Sequence, residues 1–132
     1  MTGKLVIKLE PLKPATLNKY IEQERKHRIL ASKLKKQTEA QIAIDIRQAM
    51  VDGVAFQWPV NGLTFVWYLP NMRIDPDNWA FTRKFIFDAM RRTTVRGQAF
   101  MPGDTIKHVD RWQDIFKIDR ENPRLEIVEM EE

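Results

Sequence analysis

Residues 63–69 read "LTFVWYL", the clearest strand in the chain. Leu63, Phe65, Trp67 and Leu69 point one way, and Thr64, Val66 and Tyr68 point the other. Both faces are largely apolar. The run is therefore expected to be a central strand, covered on both sides. "PNMR" at residues 70–73 leads out of it into "IDPDNWAFTRKFIFD" at residues 74–88.

That second stretch joins two signals. Pro76 pushes Asp75 out of the α region toward extended backbone, so a helix does not comfortably begin before Pro76. Asp77 is then a natural N-cap for a helix running from about Asn78 to Arg92. In extended backbone, Asp75 and Asp77 project to the same side. Two such carboxylates repel unless something neutralises them, and a hard divalent cation does so with oxygen ligands. If the helix is continuous, Lys84 and Asp88 fall within about 20 degrees of Asp77. Phe85, Ile86, Ala89, Met90 and Trp79 lie roughly opposite, as a core face. Phe81 falls about 40 degrees from the stripe, where a core residue is not expected; it fits a dimer contact or a wedge. A plainer reading stands beside this one. Asp77 is only a cap, and Lys84 and Asp88 are an i,i+4 surface pair. Spacing alone leaves both open.

Working outward, "KLVIKLE" predicts a first strand at Leu5–Leu9, ended by Pro11 and Pro14. Thr16 or Asn18 can cap a helical stretch, one helix or two, that runs to about Met50 and stops at Asp52-Gly53. Residues 54–62 are a connector. Residues 93–104, "TTVRGQAFMPGD", are expected to be a loop. Residues 106–119 look extended, 120–123 form a turn, and 124–130 a final strand; the last two strands can form a hairpin. The order strand, helix, strand, helix, strand, strand predicts a small single-domain α+β fold over residues 1–132, with a mixed sheet and two main helical segments.

The 132 residues carry 22 Lys and Arg against 18 Asp and Glu, a net charge of +4. The excess is concentrated. Lys19, Arg25, Lys26, Arg28, Lys33, Lys35 and Lys36 cluster against only Glu22 and Glu24. Arg91, Arg92 and Arg96 follow with no acid between Asp88 and Asp104, and Arg73 precedes the paired acids. These are candidate contacts for a DNA backbone, or solvated surface. The absence of cysteine excludes disulfides and thiolate zinc sites. His27 and His108 are too few and too far apart for a histidine metal site. No apolar run is long enough to span a membrane, and the N-terminal one is too short for a signal peptide. A cytoplasmic protein is expected. No Gly-x-x-x-x-Gly-Lys loop is present, so no nucleotide cofactor is expected.

At Asp75-Pro76-Asp77-Asn78, Lys84, Asp88-Ala89-Met90, Gly97 and Gly103-Asp104 the chain resembles the RusA-type Holliday-junction resolvases, of a phage or prophage subgroup. "PLKPATLNKYIEQERKHR" at 11–28 and "PRLEIVEME" at 123–131 extend the likeness over most of the chain. Lys84 stands seven positions after Asp77, where the shorter family form has an offset of four. Only one acid stands at Asp104, where many relatives have two. The resemblance implies a homodimer that binds four-way junction DNA and cuts it by Mg²⁺-dependent phosphodiester hydrolysis, with Mn²⁺ as a substitute. It implies Asp75, Asp77 and Asp104 as metal carboxylates, Lys84 as a catalytic residue, and Asp88 as a further residue near the metal. The competing expectations are a non-catalytic DNA-binding protein on the same scaffold, or a less selective branched-DNA nuclease.

Overall fold

A computed structural model describes residues 3–103 and 106–131. Asp104 therefore lies outside the described residues. The chain forms a small α+β domain with a mixed sheet. Strand β1 (Leu5–Lys8) is followed by a 3-10 turn at Glu10–Ala15, then helices α1 (Leu17–Lys26) and α2 (Arg28–Val51). Strand β2 (Leu63–Leu69) leads to α3 (Pro76–Ala80) and α4 (Arg83–Arg92). Short strands β3 (Thr94–Val95) and β4 (Gln98–Ala99) precede β5 (Trp112–Ile118) and β6 (Arg124–Glu129).

The four long strands lie in the order β1-β6-β2-β5. Strand β2 is central, as its apolar run predicts. It pairs parallel with β5, Leu63 opposite Trp112, and antiparallel with β6, Phe65 opposite Ile127. The expected hairpin of the last two strands does not form, because β2 lies between them. Residues 94–99, expected to be loop, instead make a tiny hairpin, turned by Arg96 and Gly97 at φ 54 and 79.

One face of the sheet carries the core. Leu5, Ile7, Leu63, Phe65, Trp67, Leu69, Leu125 and Ile127 are buried there against Ile42 and Ile46 of α2 and Phe85, Ile86 and Met90 of α4. The expected cover on both sides of β2 is not found, since the core lies on one face only. On the other, Thr64 is bonded by the Gln113 amide at 2.9 Å, and the Arg124 guanidinium lies 3.9 Å from the centre of the Tyr68 ring. Long polar side chains of neighbouring strands shade that face, and Ile115 stays exposed on it.

Each helical segment is broken once. No glycine or proline marks the first break. His27 takes extended backbone, φ −169 and ψ 128, between α1 and α2. Its N–H closes α1 on the Gln23 carbonyl, and its ring Nδ1 accepts the Ile29 N–H at 3.1 Å, capping α2. The second break replaces the single helix expected over 78–92. Buried Thr82 donates its hydroxyl to the Trp79 carbonyl at 2.7 Å, and its N–H goes to the same oxygen at 3.0 Å. This tightens the chain into i,i+3 bonds between α3 and α4. The α2 segment ends as predicted, with Asp52 as C-cap and Gly53 at φ 91.

Candidate metal and nucleic-acid site

The paired acids sit just beyond the C-terminal end of β2. Asp75 is extended, φ −64 and ψ 149, as its following proline requires. The N-cap is Asp75 rather than Asp77, because proline favours the first helical position and starts α3 two residues earlier than expected. Asp77 lies in the first turn. Neither acid makes a side-chain capping bond. Both are exposed, and among the described residues neither carboxylate has an ion-pair or hydrogen-bond partner. The cap reading therefore does not account for them. Beside Asp75 lies an apolar hollow of about 350 Å³, lined by Leu69, Met72, Ile74, Phe116 and Ile118.

Lys84 stands on an aromatic shelf. Its ammonium lies 5.2 Å from the Phe81 ring centre, 5.7 Å from Phe85 and 6.0 Å from Tyr20 of α1. Phe81 is half-buried and packs on Tyr20 and Phe85 at 5.7 Å each. The shelf shortens the reach of a flexible lysine and leaves its N–H donors open. Because the helix breaks at Thr82, the expected single stripe of Asp77, Lys84 and Asp88 is not a continuous helical face.

Asp88 belongs to another cluster. It bonds Arg91 at 3.1 Å and Lys35 of α2 at 3.7 Å, not Lys84. Beside it, Glu39 of α2 is buried and bonded to Arg92 at 3.1 Å. The second oxygen of Glu39 is buried without a donor in reach. Asp88 is the neighbouring acid. Burial, first, pushes the Glu39 carboxyl up; Arg92 and Lys35 pull it down, and Asp88 adds to the rise. Glu39 was missed by the sequence reading. Its signal is phase: it precedes buried Ile42 by three residues and Ile46 by seven, so it shares their face.

The remaining candidates separate. Arg92, Arg91 and Lys35 are tied into this α2–α4 junction. Arg96 is exposed at the tip of the β3–β4 hairpin, and Arg73 is exposed two residues before Asp75. Arg25, Arg28, Lys33 and Lys36 are exposed and have no ion-pair partner among the described residues, while Lys26 pairs with Glu22 at 3.2 Å. Gly103, the residue before Asp104, is buried against His108, whose carbonyl accepts the Val60 N–H at 3.0 Å. It lies near the N-terminal end of β2. Asp75 lies beyond the other end, about 20 Å away along a seven-residue strand. Among the described residues no three acids or histidines converge on one point. No helix of the described residues is long and apolar enough to cross a membrane. No family model matches the chain, and no curated protein matches it.

Proposed function

We propose that the chain is a divalent-cation-dependent endonuclease of branched DNA, acting on four-way junctions as the resemblance to RusA-type resolvases implies. The observation that carries this reading is the pair Asp75 and Asp77: two exposed carboxylates, two residues apart, beyond the end of the central strand, with no partner among the described residues. Two carboxylates with open surroundings suit Mg²⁺, which takes one or two protein acids and fills its shell with water and substrate phosphate. The bound ion would supply charge neutralisation and an activated water for phosphodiester hydrolysis. Asp75 and Asp77 hold it. Lys84, fixed on its aromatic shelf, balances charge at the scissile phosphate. Arg73 holds a flanking phosphate.

In this reading the third ligand, Asp104, comes from a second copy. Gly103 and Asp75 belong to opposite ends of β2, so the Gly103 end of one chain meets the Asp75 end of its partner across a two-fold axis. Exposed Ile106 and the apolar hollow beside Asp75 offer matching surfaces. Such a dimer presents two cutting sites to a substrate with two-fold symmetry.

The test is a labelled four-way junction with Mg²⁺ or with chelator. Paired nicks that need the metal support the proposal. Binding without cleavage under Mg²⁺ or Mn²⁺ would leave a non-catalytic DNA-binding protein, and equal cutting of flaps or forks a less selective nuclease. Mixing Asp75→Asn with Asp104→Asn chains tests the shared site. Half the dimers are then mixed, each with one intact site, so about a quarter of wild-type nicking returns. No recovery on mixing sinks the shared site.

A further inference from the structure

We infer that the corner between α1 and α2 is a wedge that enters the branch point of the DNA substrate, with Ile29 and Leu30 against unstacked bases. The inference rests on the proposal that branched DNA is the substrate, and adds how the protein engages it. Ile29 and Leu30 open α2 and are 59% and 46% exposed. Adjacent apolar side chains are costly to leave in water; Ile29 is the more exposed, and Leu30 lines an open hollow with Lys19, Lys33 and Leu34. Their surroundings are cationic. Arg25 and Lys26 end α1, Arg28 precedes them, and Lys33 and Lys36 continue the exposed stripe of Ile29 one and two turns on. The nearby acids are Glu22, already bonded to Lys26, Glu24, and Glu10, which lines the same hollow as Leu30. An apolar tip inside a ring of cations matches a nucleic acid, whose phosphates meet the cations while the tip replaces a base stack. A second copy of the same corner would set cations against cations.

Two further observations make the corner a rigid tool. The His27 ring caps α2 at Ile29, so the tip is held by a side chain rather than by a flexible glycine. Tyr20 of α1 packs on Phe81 and Phe85, the shelf under Lys84, with ring centres 5.7 and 5.5 Å apart. From Tyr20 to the end of α1 is about 9 Å, a little under three nucleotide steps along a strand. Helix α1 thus joins the corner to the shelf under Lys84 in one rigid piece.

The test places 2-aminopurine at the branch point of a four-way junction and compares the wild-type chain with the double variant Ile29→Ala, Leu30→Ala. Wild-type binding is expected to raise the fluorescence severalfold. The double variant should bind within about threefold, because the cations remain, but lose most of the rise and spread its cuts away from the branch point. Ile29→Gln with Leu30→Gln, which keeps the side-chain length, should behave alike and guards against a folding defect. An unchanged rise in both variants overturns the wedge while leaving the endonuclease reading intact. A wild-type chain that neither binds nor cuts junctions overturns the substrate reading itself. Loss of dimer in the variants, measured by sedimentation, reassigns the corner to a contact between copies and also overturns the wedge.

Discussion

Two pairs of acids lie on the helical layer, and they differ in what the fold does with them. Glu39 and Asp88 come from different helices, α2 and α4, and are surrounded by Lys35, Arg91 and Arg92. Their carboxylates have cationic partners in the fold, and their burial follows from the packing of the two helices. Asp75 and Asp77 come from one turn, stand exposed, and have no partner among the described residues. A carboxylate pair that the fold leaves unmatched adds only repulsion to the folded state. The contrast separates acids that build the domain from acids that await something outside it.

The largest effect should come from breaking the unmatched pair. Asp75→Asn is expected to lower Mg²⁺-dependent junction cleavage by at least about a hundredfold, since even groups that only orient a metal ligand are worth 10–100-fold. Its stability should stay within about 0.5 kcal/mol of wild type, as for an exposed residue with no partner. Lys84→Met tests the shelf. Cleavage should fall by roughly tenfold to a hundredfold, about 1.4 to 2.7 kcal/mol of barrier, with junction affinity little changed. Single-turnover rates and melting curves on the same samples check both. An Asp75→Asn chain that melts several degrees lower but cuts normally would place Asp75 with the building acids instead.

Much of this contrast is legible from local chemistry. Alternation places β2 at the centre, Pro76 makes Asp75 extended, and Gly53 stops α2. Each of these depends on a residue and its immediate neighbours. The features that escaped depend on tertiary partners. His27 breaks the long helix because its ring can reach the Ile29 N–H, which no glycine or proline announces. Thr82 breaks the second because burial turns its hydroxyl onto the Trp79 carbonyl. Strand β2 separates β5 from β6 because pairing across a sheet is non-local. In the candidate site, the acids and Lys84 can be picked out by type and spacing. The phase relation between them cannot, since it passes through the Thr82 joint. Glu39 was hidden among lysines, although its spacing to Ile42 and Ile46 marks it as inward-facing.

The matched cluster can be broken from its exposed side. Arg92→Ala leaves Glu39 buried without its main partner. The expected cost is about 1 to 3 kcal/mol, the penalty for an unsatisfied buried polar group, read from urea unfolding. Cleavage by the folded fraction should change less than in Asp75→Asn, because Arg92 is committed to α2 rather than to the paired acids. A loss of cleavage with no loss of stability would instead make Arg92 a DNA contact, as its place in the sequence allows.

The smallest effect is the most specific, because it reads the ionisation of one side chain. Burial holds the Glu39 carboxyl above its ordinary value of 4.5 in the folded chain, with Asp88 adding to the rise. In the unfolded chain Glu39 ionises near that ordinary value. As pH climbs from there through the folded value, the folded state binds more protons than the unfolded one, so this group's contribution to stability falls. Asp119 runs the other way. The Asn122 N–H, then Arg124, hold its carboxyl below 3.8, so its contribution is present above that value and is lost as pH falls through the lower, folded one. Glu39→Gln keeps an acceptor for Arg92 and removes the titration. Its stability relative to wild type should therefore rise as pH climbs from 4.5 through the folded value and level off above it, whereas Asp119→Asn should change its difference only in stronger acid. Parallel curves for Glu39→Gln and wild type across that range would mean that Glu39 ionises as freely as an exposed acid, and the distinction between matched and unmatched pairs would then rest on geometry alone.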